Sequence, residues 1–252
     1  SRGGGDRTRL VAAAHGDRVI SLSFADGIAT ITLDRPAARN AMPTAAWLEL
    51  AQVAGSVPVD ARVVVIASAL PRVFSAGADL ADLARLVDDV AARAAFRAAM
   101  RAGIEAVAAL PTPVIAAVEG ACHGAAVALA LACDLIVAGE GARFAVPPAR
   151  LGIGYPAADV ARLSARVGRG QAARLLFTAA TIDAAEALRI GLADLAGDPA
   201  AVAASIAGND AGALTLLKAM LLDPDASGHD AAFEASFGSA AFAAGTARYR
   251  RD

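Results

Sequence analysis

The chain has 252 residues, enough for one large domain with a helical appendage and a substantial buried core. Apolar residues make up 57% of it and the net charge is −2. That balance excludes a disordered chain, and the arginines, scattered among acids, form no basic face for nucleic acid. No window reaches the roughly 18 uncharged apolar residues of a membrane span. The longest candidate, from Val114 to Ala138, is cut by Glu119, His123 and Asp134.

Residues 1–17 read as a flexible tail, and "SRGGGDRTRL" lacks the apolar run of a signal peptide, so a cytoplasmic protein with no membrane partner is expected. From Arg18, "VISLSFADGIATITLDRP" gives two alternating β-branched runs around Asp26-Gly27, the signal of a hairpin, with Pro36 stopping the second strand. "TAAWLELAQVAG" predicts an amphipathic helix from Thr44, its N-cap candidate, to Gly55 just past its end. "ARVVVIAS" is a short, continuously apolar run, as expected for a strand covered on both faces. A loop, "ALPRVFSAGADL", leads to a long alanine-rich helix predicted from about Leu80 to Leu110.

"VIAAVEG" then supplies another buried strand, "GACHGAAVALALACD" a glycine-led helix, and "CDLIVAGEGARFAVP" two more short strands. Strand, loop and helix alternating at this spacing mean an α/β fold with crossover helices. Beyond about Asp198 only helical pattern remains, so a core over 18–197 is followed by a helical region over 198–252. Cys122 and Cys133 share one apolar segment with no His or Cys cluster at metal spacing; buried free thiols are expected, and no metal site.

Two loops that follow buried strands offer small residues where a backbone must come close to something: "SAGAD", Ser75 to Asp79, and "GACHGAA", Gly120 to Ala126. Glycine and alanine let a ligand approach main-chain N–H groups, and two such donors converging on one oxygen form an oxyanion hole. Plain tight packing is the competing reading of either loop alone.

Five motifs in order add specificity: "LDRPAARNAM", "VVVIASALPRVFSAGADL", "PTPVIAAVEGACHGAA", "LALACDLIVAGEGARFAVPPARLGI" and "RLLFTAATIDAAEALRIGLAD". Together, over residues 18–194, they resemble the crotonase superfamily, the enoyl-CoA hydratase/isomerase family. The resemblance implies a crotonase-like ββα spiral core with a C-terminal helical oligomerisation region. It further implies acyl-CoA thioester substrates, coenzyme A as part of the substrate with no permanently bound cofactor, and a homotrimer or dimer of trimers. Carried over residue by residue, the oxyanion donors match the N–H groups of Ala78, after Ala76 and Gly77, and of Ala125, after Gly124. Arg39 and Ala41 match the segment that lies along the coenzyme A nucleotide, where a guanidinium can pair with a phosphate; a solvated loop cation is the other reading of Arg39.

The two glutamates that the family's hydratases use fall on Ala128 and Pro148, neither of which can transfer a proton. An ordinary two-glutamate hydratase is therefore not expected. Asp159 and His123 are the candidate replacements, with Tyr155 behind them. Asp159 lies three residues after Pro156, which the gap-free alignment puts where other family members place a catalytic aspartate; an ordinary acid in the first turn of a helix is its alternative. His123 lies two residues before Ala125, and Asp79 reads as a helix cap. The implied activity is isomerase-type or other enolate chemistry on an acyl-CoA, with a non-catalytic acyl-CoA-binding protein as the alternative.

Overall fold

The computed structural model describes residues 9–10 and 19–250. Of the tail, 1–17, only Arg9 and Leu10 fall among the described residues; as β1 (Arg9–Leu10) they pair with Phe24 and Ser23 of β2 (Ile20–Ala25). β2 and β3 (Ile28–Leu33) form the expected antiparallel hairpin. Asp26 and Gly27 both take positive φ, 53° and 82°, the pairing a tight turn between right-twisted strands requires. Helix α1 spans Thr44–Ala54. Its Thr44 caps nothing: it is the first helical residue, and its N–H and hydroxyl both donate to Asp82 Oδ2, at 2.8 and 2.6 Å. An acid from the next helix therefore does the work expected of the threonine.

The parallel part of the main sheet follows, with β4 (Val63–Ser68) beside β3, β6 (Val114–Val118) beside β4, β8 (Leu135–Ala138) beside β6 and β11 (Leu195–Ala196) at the edge. β6 is buried at every residue and β4 over Val63 to Ile66, as continuous apolar runs demand. One face meets the main core, which includes Trp47 of α1, Ile104 and Val107. The other face, through Val63, Val65, Ile115, Ala117 and Val137, is covered by Ala203 and Ala207.

Between β4 and β6 the predicted single long helix is two: α2 (Leu80–Arg85) and α3 (Val90–Ala108). Residues 86–89 break it. Asp89 accepts from the Ala92 N–H and starts α3, while the Arg93 guanidinium takes the free carbonyls of Leu86 and Val87 at 2.7 and 2.6 Å. Cap chemistry thus outweighs an alanine-rich composition.

A second, smaller sheet contains one strand expected from the sequence, the second short run of "CDLIVAGEGARFAVP"; its other strands are three residues long and sit inside segments not read as strands. Its order is β10 (Thr181–Asp183), β9 (Arg143–Ala145), β7 (Ala121–His123), β5 (Val73–Ser75). β5, β7 and β9 run parallel. Helices α4 (Ala125–Leu131), α5 (Ala157–Thr178, bent at Gly168), α6 (Ala184–Arg189) and α7 (Pro199–Ala207) complete the core, α7 being the helix that covers the outer sheet face. α8 (Ala211–Leu222), α9 (His229–Ser236) and α10 (Ala240–Thr246) form the C-terminal region.

Candidate active site

Three parallel neighbours leave the small sheet at one edge, and each feeds a segment singled out in the sequence. β5 exits into Ala76–Asp79, β7 into Gly124 and α4, and β9 into Val146, Pro147 and Pro148. Parallel pairing is what brings the first two loops together: a Cβ placed on Gly77 would lie 2.4 Å from the His123 carbonyl oxygen and 3.0 Å from Ala125 N. Gly77 takes φ +92° as well, so both space and backbone demand glycine there. Gly124 differs, since a Cβ on it would meet nothing within 4 Å, yet its φ of 55° and ψ of −122° suit glycine alone.

The first loop is held from beneath. Met42 N–H donates to the Gly77 carbonyl at 2.7 Å and Asp79 N–H to the Met42 carbonyl at 3.1 Å. Successive N–H groups of an extended chain alternate in direction, so the Ala78 N–H faces away from Met42. Neither the Ala78 nor the Ala125 N–H has a hydrogen-bond partner among the described residues. Ser75 ties the turn, its hydroxyl donating to the Asn40 carbonyl at 2.6 Å and accepting from Gly77 N–H at 3.0 Å. Asn40, fully buried at φ 55°, sends its amide to Ser68 Oγ and to the carbonyls of Leu33 and Phe74, which fixes the adjoining Arg39–Ala41 segment. Sequence reading missed both residues; an Asn seven places past a strand end and a Ser before Ala-Gly-Ala were visible, but the partners that tie them to each other's loops lie about thirty residues away.

Arg39 is exposed and Ala41 is buried at the rim of this loop, with Ala76 N–H bonded to the Arg39 carbonyl at 2.9 Å. Asp79 is a cap, accepting from Ala81 and Asp82 N–H through Oδ1 and pairing with Arg35 through Oδ2; the Arg35 hydrogen bond holds its carboxyl below the usual range.

The candidate proton carriers come from different elements, His123 from the end of β7 and Asp159 from the first turn of α5. His123 Nε2 is buried without a partner among the described residues, and burial first, then the Arg39 guanidinium, lowers its pKa, which favours the neutral imidazole. Asp159, 2% exposed in the first turn of α5, lies 3.6 Å from Arg162, and its Oδ1 has no hydrogen bond. Burial raises its pKa against the pull of Arg162 and Arg101, with Glu105 adding to the rise. Tyr155 donates to the Gly124 carbonyl at 3.0 Å. Ala128 is fully enclosed and Pro148 is buried at the start of a short 3₁₀ turn, so neither position presents a proton-transfer group. No cluster of three or more His, Cys, Asp or Glu side chains converges among the described residues. A groove of about 620 Å³ also exists, but it lies at the opposite end of the main sheet, between Val57, Leu110, Thr112 and Leu216, with no ionisable side chain in its lining.

The model of the family described as enoyl-CoA hydratase/isomerase matches residues 23–205. The short-chain-enoyl-CoA hydratase of Clostridium acetobutylicum is 36% identical over 174 residues, 68% of this chain and 66% of that protein. The 2,3-dehydroadipyl-CoA hydratase of Escherichia coli is 37% identical over 163 residues, 64% of this chain and 62% of that protein. The chain spans about 56 to 66% of the length of the first curated relatives it matches. In three dimensions the enoyl-CoA hydratase of Bacillus anthracis superposes with a TM-score of 0.83 at 28% identity, covering 92% of this chain and 96% of that one.

Proposed function

The chain belongs to the enoyl-CoA hydratase/isomerase family, and on that premise we propose that it binds a coenzyme A thioester and polarises the thioester carbonyl between the N–H groups of Ala78 and Ala125. The observation that carries this reading is the pair of unpartnered N–H groups on two loops brought into contact at Gly77 and Ala125. Donors of this kind act where negative charge develops, each typically worth about 2.7–4 kcal/mol in the transition state, which stabilises an enolate. Arg39, exposed beside the first loop, is then the cation for a coenzyme A phosphate.

With Ala128 and Pro148 unable to move protons, hydration lacks both its acids, and the chemistry that suits the site is isomerisation or another enolate reaction served by one proton carrier. Asp159 fits that role best: a buried carboxyl whose pKa is raised holds its proton closer to neutral pH than a free aspartate does. His123, neutral and open at Nε2, is the other candidate. The same two residues, Ala128 and Pro148, favour a second reading, an acyl-CoA-binding protein that does not turn its ligand over. Calorimetry with a panel of acyl-CoAs, followed by turnover assays on enoyl and dienoyl thioesters, separates them. Binding with proton exchange at the α-carbon supports the enzyme; binding without it supports the carrier; no binding removes both.

A further inference from the structure

Tyr155 stands just ahead of α5, and its phenol O–H donates to the carbonyl oxygen of Gly124 at 3.0 Å, beside the Val127 N–H that donates to the same oxygen at 2.9 Å. That carbonyl belongs to the same peptide unit as the Ala125 N–H. The unit is planar and trans, so its C=O and N–H point in opposite directions. A hydroxyl bonded to the Gly124 oxygen therefore lies behind the peptide, while the Ala125 N–H projects from its front. This placement argues against Tyr155 as a proton donor to bound substrate. It suits a different task.

We propose that Tyr155 is a positioning residue of the oxyanion hole, which through its hydrogen bond to the Gly124 carbonyl fixes the plane of the Gly124–Ala125 peptide and polarises the Ala125 N–H toward the thioester oxygen. The proposal rests on the oxyanion-hole reading given above. Hydrogen bonds in series polarise one another, by about 10–30% per bond, so a donor on the carbonyl strengthens the N–H on the other end of the same amide. The orientation needs such a device, because Gly124 adopts a φ/ψ pair open to glycine only and no side chain caps the start of α4. Burial foremost, then Asp159 of α5 and Cys122 of β7, keep the phenol pKa well above its ordinary value, so the group is always a donor.

The test uses 4-(dimethylamino)cinnamoyl-CoA, a chromophoric thioester whose absorption moves to the red when its carbonyl is polarised. Wild-type protein should bind it with a red shift. Tyr155→Phe keeps the ring and loses the hydroxyl; its red shift should fall by at least about a fifth, on the scale of one cooperative bond, while the probe Kd changes less than about threefold. A red shift unchanged in Tyr155→Phe overturns the role of Tyr155 and leaves the oxyanion hole standing. A wild-type complex with no red shift overturns both. Should Tyr155→Phe fail to fold, 3-fluorotyrosine at position 155, a stronger donor of nearly the same shape, should deepen the shift; an unaltered shift there overturns the proposal equally.

Discussion

On the proposed reading, Ala128 and Pro148 stand at the two acid positions of a hydratase, where general acid–base groups typically contribute about 10²–10⁴-fold each and neither residue is one. Crotonyl-CoA hydration is expected near the assay background, and a turnover number on the order of 10 per second would show that the acids lie elsewhere. Ala128→Glu alone should restore little, because the proline still occupies the second position. The two loop glycines make a sharper pair. Gly77→Ala forces a methyl into the His123 carbonyl, whereas Gly124→Ala meets open space and bears only the backbone strain. Gly124→Ala should cost about 1–3 kcal/mol of stability and Gly77→Ala more, which thermal melts of the two variants will rank. Both should weaken acyl-CoA binding, because each moves the peptide that carries a donor. The two small-residue loops after strands were legible in the sequence as a motif; Asn40, Ser75 and the Gly124 partner of Tyr155 were not, since each acts through a contact made only by folding.

Among the elements, the strands of the large sheet were legible as β-branched runs, and the hairpin as Asp26-Gly27. Of the small sheet only β9 was, because three-residue strands carry too few side chains to show a period, and it is this sheet that delivers the loops after β5 and β7 to one edge. The break between α2 and α3 was hidden by alanine, whose propensity says nothing about where a cap will form. One helix is tethered by charge. Lys218 of α8, the single lysine and 5% exposed, donates to Asp134 Oδ2 at 2.7 Å and to the Thr112 carbonyl at 3.1 Å, while the same Asp134 oxygen accepts the Val114 N–H. Lys218→Ala should cost about 2 kcal/mol, the range for hydrogen bonds to charged groups. Amide hydrogen exchange should show the loss in α8 before it reaches the main sheet; uniform exchange across the chain would mean that α8 is held by other contacts.

At the scale of the whole molecule, the C-terminal region leaves large apolar side chains in water. Leu221 and Leu222 of α8, Phe233 of α9, Phe237 at its C-terminal end and Phe242 of α10 are 40–85% exposed, and the three phenylalanines stack edge to face at 5.1 Å without reaching the core. Large apolar side chains exposed in this number are rare on a monomer, and we propose that they dock against further copies of the chain. With the trimer or dimer of trimers that the family resemblance implies, light scattering at micromolar concentration should give a mass at a multiple of three chains, and a stable monomer would remove the oligomerisation role. The proposed function turns on one event, the capture of a thioester carbonyl by two backbone donors, and difference infrared spectroscopy of a butanoyl-CoA labelled with ¹³C at the thioester carbonyl observes it directly. The labelled stretch should move to lower frequency on binding and move back in part in Gly77→Ala. A ligand that binds with its carbonyl frequency unchanged from water would contradict the account.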